Sequence, residues 1–164
     1  MSDAARTRTV TWEDPVQHAW RAGSDDGLAL LRRVVAGELP QSPMALLMGF
    51  ALVAVDEGTA TFAATPAEYH YNPAGVVHGG FAATLLDSAM GCAVYSTVKV
   101  GFTYTTVELK VNLLKPITLA TGPVRAMSTV LHRGRRTAMA EGKLVDAGGR
   151  LLAHATTTCL IYAP

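Results

Sequence analysis

The sequence predicts an α+β domain in which one long helix lies against a curved antiparallel sheet, with a helical extension in front of it. Residues 80–97 are apolar on nearly every side, as expected for a helix that is buried on every face. A hairpin pattern over residues 50–64 precedes that helix, and alternating strand patterns over residues 105–162 follow it. Long strands joined by short turns form an antiparallel meander, which one helix can cover.

The predicted strands each alternate between two faces and end at turn residues. They cover residues 50–55, 59–64, 105–115, 124–133, 136–145 and 151–162. In the third of them, Val107, Leu109, Val111 and Leu113 are predicted to share one face, and the polar residues between them the other.

Residues 1–44 are predicted to form a helical extension and residues 45–164 the main domain. A first helix is predicted over residues 15–20, because proline is favoured in the first turn of a helix. A second is predicted from Asp25 or Asp26 onward to residue 35, where apolar residues recur at helical spacing. A short helical turn is expected over residues 44–48.

The composition indicates one folded domain, and the net charge gives no reason to expect a highly charged partner. The chain has 164 residues, of which 49% are hydrophobic and 16% charged. This is too apolar for disorder and long enough for a real core. Buried subunit interfaces would explain so little charge. The net charge of +1 gives no electrostatic case for nucleic acid or an acidic membrane as a partner.

The cysteines and the N-terminus favour the cytoplasm. Cys92 and Cys159 form neither a disulfide framework nor a metal-binding spacing, and the histidines have no metal-ligand spacing. Residues 1–13 are polar and of mixed charge, without the apolar core of a secretory signal. No apolar run reaches the roughly eighteen residues of a membrane span. We therefore expect a cytoplasmic protein without a metal site.

One carboxylate lies inside the predicted helix. Asp87 is the only charged residue between Glu68 and Lys99, and a buried carboxylate is costly unless it is paired or used. Gly79 and Gly80 mark a helix start, whose unpaired N–H groups favour negative charge. A helix end that stabilises an anion and an isolated carboxylate are the two parts of an acyl-transfer site.

The spacing of these two groups predicts a site shared between subunits. Asp87 lies eight residues after Gly79, about 12 Å along a helix that rises 1.5 Å per residue. The two groups can therefore act on one carbonyl only if a two-fold dimer supplies them from different subunits. The Gly79 N–H would polarise a thioester carbonyl, Asp87 would act as general base or nucleophile, and His78 and Asn72 would orient the loop and the substrate or water.

The pattern N-P-x-G-x-x-H-G-G over residues 72–80, with Asp87 nine positions after the histidine, resembles the hotdog-fold acyl-CoA thioesterases of the PaaI-like class. The resemblance covers about residues 45–162. It implies a helix wrapped by an antiparallel sheet and homodimers with a continuous sheet that often pair into tetramers. It also implies active sites at the dimer interface and hydrolysis of an acyl-CoA thioester to a carboxylic acid and free coenzyme A.

The resemblance also implies roles for individual residues. By position, Gly79 polarises the carbonyl and Asp87 is the base or nucleophile, with Asn72 and His78 as supporting groups. Thr106, rather than its neighbour Thr105, matches a residue that helps to position the water.

The turn Gly134–Thr137 falls where such enzymes often meet the nucleotide of coenzyme A. There Arg135 and Arg136 suit a phosphate. Coenzyme A would be part of the substrate, and no separate cofactor is expected.

Several alternatives remain open at this stage. A non-catalytic acyl-CoA-binding module would keep the fold without needing a carboxylate at position 87. A hydroxyacyl-thioester dehydratase is disfavoured, because it needs a catalytic histidine paired with a carboxylate in a different loop. Ser88 lacks the Gly-x-Ser-x-Gly pattern of a serine hydrolase. The cluster Tyr69–Tyr71 either lines an acyl pocket or covers the helix end.

Overall fold

The computed structural model describes residues 5–15 and 25–163. The helix predicted over residues 15–20 falls, apart from Pro15, outside the described residues. Within these ranges the helices are α1 (Gly27–Val35), α2 (Pro43–Met48) and α3 (Gly79–Tyr95). The strands are β1 (Phe50–Asp56), β2 (Thr59–Ala64), β3 (Thr103–Leu113), β4 (Val124–Arg133), β5 (Thr137–Asp146) and β6 (Leu151–Tyr162).

The strands form one antiparallel sheet in the order β1-β2-β4-β5-β6-β3, and α3 packs against it. The predicted α+β class is therefore confirmed, and the arrangement is the hotdog fold. Gly142 of β5 allows close packing, because a Cβ there would lie 3.0 Å from Leu86 and 3.1 Å from Met90. A Cβ at position 142 would require the Leu86 and Met90 side chains to shift by a few tenths of an ångström.

The core lies between α3 and the sheet. Leu85, Leu86 and Met90 are fully buried, and burying each such side chain contributes about 1.5–3 kcal/mol. The Ser128 side chain of β4 is polar and crosses this layer: its hydroxyl lies 2.8 Å from the carbonyl oxygen of Ala89 and 3.0 Å from that of Ala60. None of the helices in the described ranges is long and apolar enough to span a membrane.

A bulge in β3 changes the face pattern that the sequence predicts. The pairing of β3 with β6 shifts between Thr106 and Glu108, so Val107 is the extra residue and has no partner in β6. Thr106 pairs with the buried Cys159 and lies on the helix side of the sheet. Without the bulge, Thr106 and Leu109 would face opposite sides, since they are an odd number of residues apart.

The elements before the sheet begin at polar caps. The Asp26 side chain accepts a hydrogen bond from the Ala29 N–H at 2.8 Å, and the Ser42 hydroxyl accepts one from the Ala45 N–H. The cap of α1 is Asp26, one of the two caps that the sequence offers, and α2 starts one residue before its predicted start. The division of the chain between residues 44 and 45 stays a prediction.

Candidate active site

The N-terminus of α3 is capped by a histidine. The Nδ1 of His78 accepts a hydrogen bond from the Gly80 N–H at 2.8 Å, while the His78 N–H donates to the His70 carbonyl at 2.8 Å. Among the described residues, no acceptor is found for the N–H of Gly79, the first residue of the helix. The His78 cap thus leaves one unpaired donor at the positive end of the helix, which favours an anion.

Asn72 holds the loop that leads into this helix. Its side-chain oxygen accepts hydrogen bonds from the Ala74 N–H at 2.9 Å and the Val76 N–H at 3.4 Å. Its backbone N–H donates to the Val76 carbonyl and its carbonyl accepts from the Gly75 N–H, where the glycine φ is +78°. Asn72 therefore shapes its own turn, as asparagine side chains commonly do.

Asp87 lies in the middle of α3 and contacts Thr106 of β3. The Thr106 hydroxyl donates a hydrogen bond of 3.0 Å to the Asp87 carboxylate. Burial raises the pKa of Asp87 above its ordinary value, and the Thr106 hydrogen bond opposes that rise. The neighbouring Thr105 is exposed, so it is the Thr106 side chain that reaches the carboxylate.

One stripe of α3 is not covered by the sheet. The residues of α3 outside this stripe are buried. Those on it are half-buried: Gly79, Gly80, Ala83, Thr84, Asp87 and Ser88. Gly79 and Asp87 lie on the same helix, about 12 Å apart along its axis. Within one chain, the Asp87 carboxylate and the Gly79 N–H therefore do not converge on one carbonyl.

Strand β3 forms one edge of the sheet and exposes apolar side chains. Its only partner among the described strands is β6. Val107 is 59% exposed and Leu113 is 58% exposed. An edge strand with unpaired backbone groups and exposed apolar side chains is a template for pairing with a second chain.

Arg135 and Arg136 lie in the β4–β5 turn and are exposed. The preceding Arg133 donates a hydrogen bond of 3.2 Å to the Thr97 hydroxyl, just beyond the C-terminal end of α3. This end is about 24 Å from Gly79 along the helix axis. The structure therefore does not bring the two arginines to Gly79 within one chain, and their coenzyme A role stays a prediction.

The cluster Tyr69–Tyr71 both covers the helix end and lines a cavity. The His70 ring packs on Phe81 with 4.4 Å between centroids. A cavity of about 580 Å³ beside it is lined by Tyr69, Tyr71, His78 and other residues. The cluster therefore covers the helix end and borders this cavity, while its part in an acyl pocket stays a prediction.

His70 has a structural role that sequence reasoning missed. Its Nδ1 accepts from the Ala67 N–H at 2.9 Å, which places the ring proton on Nε2, 2.8 Å from the Met48 carbonyl. Burial lowers the pKa of His70 from its ordinary value, and this favours the neutral form. Only the aromatic neighbours of His70 in the sequence indicated a buried position.

Two reactive side chains near Asp87 are not available as nucleophiles. Burial, with a smaller contribution from the Asp87 charge, raises the pKa of the Cys92 thiol to about 12. Burial also raises the pKa of the Tyr104 phenol well above its ordinary value. Among the described residues, no three His, Cys, Asp or Glu side chains lie where they could hold a metal ion.

Comparison with known proteins identifies the family. The model of the thioesterase superfamily matches residues 74–153. A phenylacetic acid degradation-related protein from Ralstonia eutropha is 30% identical, with 79% of this chain and 98% of that chain covered and a TM-score of 0.72. A comparison with curated proteins found no match.

Two further structures extend the likeness. The phenylacetic acid degradation protein PaaI from Thermus thermophilus is 25% identical, with 73% of this chain and 98% of that chain covered and a TM-score of 0.67. A Streptococcus mutans protein bound to acetyl-CoA is 26% identical, with 70% of this chain and 90% of that chain covered and a TM-score of 0.64. Together with the hotdog fold and the helix start at Gly79, these matches show that the chain belongs to the PaaI-like class of the thioesterase superfamily.

Proposed function

We propose that this protein is an acyl-CoA thioesterase that hydrolyses an acyl-CoA to a carboxylic acid and free coenzyme A. The observation that carries the proposal is the Asp87 carboxylate, which is held by Thr106 on the one stripe of α3 that the sheet leaves uncovered. A carboxylate in this position destabilises the folded protein, since burial raises its pKa. A catalytic role explains why such a group is present.

The proposed reaction uses Asp87 and Gly79 as its two main groups. As a general base, Asp87 takes a proton from water, and the water oxygen attacks the thioester carbonyl carbon. As a nucleophile, its own oxygen attacks that carbon, and water then hydrolyses the mixed anhydride. In both routes the Gly79 N–H stabilises the oxyanion, the carbon–sulfur bond breaks, and the coenzyme A thiolate leaves and is protonated.

Three further residues are proposed to position the Asp87 carboxylate and the Gly79 N–H: Thr106, His78 and Asn72. The Thr106 hydroxyl orients the Asp87 carboxylate and keeps its pKa from rising further. His78 caps the helix through Gly80, which leaves the Gly79 N–H for the substrate. Asn72 shapes the loop before it. Arg135 and Arg136 are proposed to bind coenzyme A phosphate from the β4–β5 turn, since a guanidinium matches phosphate geometry.

A homodimer completes the proposed site. The 12 Å between Gly79 and Asp87 requires that one subunit supply the N–H and the other the carboxylate. The exposed apolar side chains on edge strand β3 support a pairing of two chains there. Pairing of two such dimers into a tetramer is an additional prediction from the family resemblance.

A mixture of two inactive variants tests the shared site. Asp87→Asn removes the carboxylate, and Gly79→Pro removes the N–H. Random reassociation makes half of the dimers mixed, and each mixed dimer holds one intact site. Activity should therefore return to roughly a quarter of the wild-type value. No recovery, despite subunit exchange shown by mass spectrometry, would contradict sites shared between subunits.

Release of coenzyme A from a panel of acyl-CoAs tests the function itself. Wild type should turn over, and Asp87→Asn should lose about 10²–10⁴-fold in rate, the typical contribution of a general base. Asp56→Asn is the matched control, because Asp56 is exposed and pairs only with Arg32 among the described residues. Asp87→Asn should still bind acyl-CoA.

The same panel separates the rival functions. A non-catalytic acyl-CoA-binding module would bind the ligands without releasing coenzyme A, in both wild type and Asp87→Asn. A dehydratase would convert a hydroxyacyl-CoA to an unsaturated acyl-CoA with the thioester intact. The proposal is abandoned if wild type releases no coenzyme A from any member of the panel.

A further inference from the structure

A second, smaller cavity of about 320 Å³ is lined by the residue that follows Asp87 in α3. Ser88, the next residue along α3, lines it, and so does Cys92 one helical turn further on. Tyr104 reaches it from β3, two residues before Thr106, on the same face and about 6.6 Å along the strand. A group bound in this cavity would contact the residue next to Asp87 in α3.

The part of the chain before α1 supplies one side of this cavity. Glu13 and Pro15 line it together with residues 40–43. The segment that contains them, residues 5–15, comes before the stretch matched by the family model, which begins at residue 74. The presence of Glu13 and Pro15 on this side of the cavity is therefore a property of this chain. It does not follow from the residues that identify the family.

Arg8 attaches residues 5–15 to the body of the protein. Its guanidinium donates hydrogen bonds to the carbonyl oxygens of Leu47 and, at 3.0 Å, of Leu46 near the end of α2. It also lies 4.0 Å from the ring centroid of Tyr69. A cation is favoured both at helix C-terminal carbonyls and over an aromatic face.

Most of the lining suits an apolar group, with Glu13 and Ser88 as polar members on two of its sides. Phe62 and Tyr104 supply aromatic walls, and prolines supply part of the rest. The Gln41 amide is already used, since it donates to the Leu52 carbonyl and accepts from the Leu52 N–H. The Ser42 hydroxyl is used as the cap of α2. These polar side chains therefore hold the wall in shape rather than offering partners to a ligand.

We propose that this cavity receives the acyl group of the substrate, and that Glu13 and Pro15, on the segment attached by Arg8, form one side of its wall and limit the length of the acyl chain. This inference rests on the proposed thioesterase function and makes the N-terminal segment a determinant of specificity. A volume of 320 Å³ is at the lower end of the range of about 300–1,000 Å³ for ligand pockets. It suits a small or medium-sized apolar acyl group.

Binding measurements on the full-length chain test the proposal. Calorimetry on Asp87→Asn measures the affinity for straight-chain acyl-CoAs of increasing length without turnover. Affinity should rise about fourfold for each methylene that enters the cavity and then stop rising. Adding Arg8→Ala should release residues 5–15 and move that limit to longer chains. Adding Cys92→Leu should narrow the cavity and move it to shorter chains.

Two controls accompany these variants. Arg150→Ala removes an exposed arginine that pairs with Asp146 in the β5–β6 turn, and it should leave the length limit unchanged. Release of the segment is measured as faster chymotryptic cleavage after Trp12 in Arg8→Ala. Circular dichroism and thermal unfolding verify that each variant is folded.

The outcomes separate this inference from the proposed function. An unchanged length limit in a folded Arg8→Ala variant with faster cleavage shows that residues 5–15 are not the wall. Unchanged cleavage in Arg8→Ala shows that Arg8 does not hold residues 5–15. An unchanged length limit in a folded Cys92→Leu variant shows that the acyl group binds elsewhere. A shifting length limit without hydrolysis by wild type would instead refute the thioesterase and leave the acyl cavity standing.

Discussion

Replacing Gly79 with proline removes one backbone N–H from the site with little disturbance of the helix. Gly79 is the first residue of α3, where proline is favoured because this N–H has no partner within the helix. The preceding His78 has φ −60° and ψ 136°, the extended conformation that a following proline requires. The backbone is therefore already suited to the substitution.

The expected effect follows from the role proposed for this N–H. Loss of one oxyanion donor lowers kcat by about 10²–10³-fold, equivalent to about 2.7–4 kcal/mol of transition-state stabilisation. Gly79→Ala is the matched control, because it keeps the N–H. Its Cβ would meet the end of the flexible Leu113 side chain at 2.5 Å, so both variants introduce a carbon at the same place.

Steady-state release of coenzyme A measures the difference. Gly79→Pro should be much slower than Gly79→Ala, while both keep the dimer and a cooperative thermal transition. Equal rates in the two folded variants would refute the claim that the Gly79 N–H stabilises the oxyanion. The activity lost by both would then reflect steric obstruction by the added carbon.

Three further predictions concern the carboxylate and the packing of α1. Thr106→Val removes the hydrogen bond that lowers the Asp87 pKa, so the acid limb of the kcat/KM profile should move to higher pH, whereas Thr106→Ser should leave it in place. The folded-state pKa of Asp87 is raised above the ordinary 3.8, so the folded protein binds the proton more tightly than the unfolded chain does. The stability of the protein therefore falls as the pH rises from 3.8 to the raised pKa. Asp87→Asn should accordingly raise the free energy of unfolding at pH 7, and the gain should vanish below pH 3.8; a variant less stable than wild type at pH 7 would contradict this sign. Gly27→Ala places a Cβ 1.9 Å from the Tyr95 carbonyl oxygen, and this backbone clash should reduce stability by about 1–3 kcal/mol in chemical denaturation. Gly148→Ala is the control: its Cβ makes only an ordinary contact of 3.4 Å, so the stability should change little.

The local chemistry of the site was predictable from the sequence. A single carboxylate in an apolar helical stretch and a glycine pair at its start are properties of consecutive residues. Such properties depend on helical spacing and on the cost of burying charge, which need no knowledge of distant contacts. The long buried helix and the last two strands also lie close to their predicted bounds, because hydrophobic periodicity extends over many residues there.

The contact between Thr106 and Asp87 depended on a feature that the sequence does not show. The alternation of Val107, Leu109, Val111 and Leu113 indicated a regular strand, and a regular strand would place Thr106 on the opposite face from them. The bulge at Val107 puts Thr106 on the same side as Leu109. A bulge is decided by pairing with β6, some fifty residues further along the chain, and leaves no mark in the alternation itself.

By itself, the sequence determined the fold class, the helix that carries Asp87 and the family pattern over residues 72–80. These depend on local propensity and periodicity, which are set by neighbouring residues. Only the tertiary structure decided that Arg8 anchors to α2 and Tyr69, and that Glu13 and Pro15 meet Ser88 around one cavity. Packing between segments so far apart in the chain depends on shape and on the satisfaction of polar groups in three dimensions, and no periodicity in the sequence encodes it.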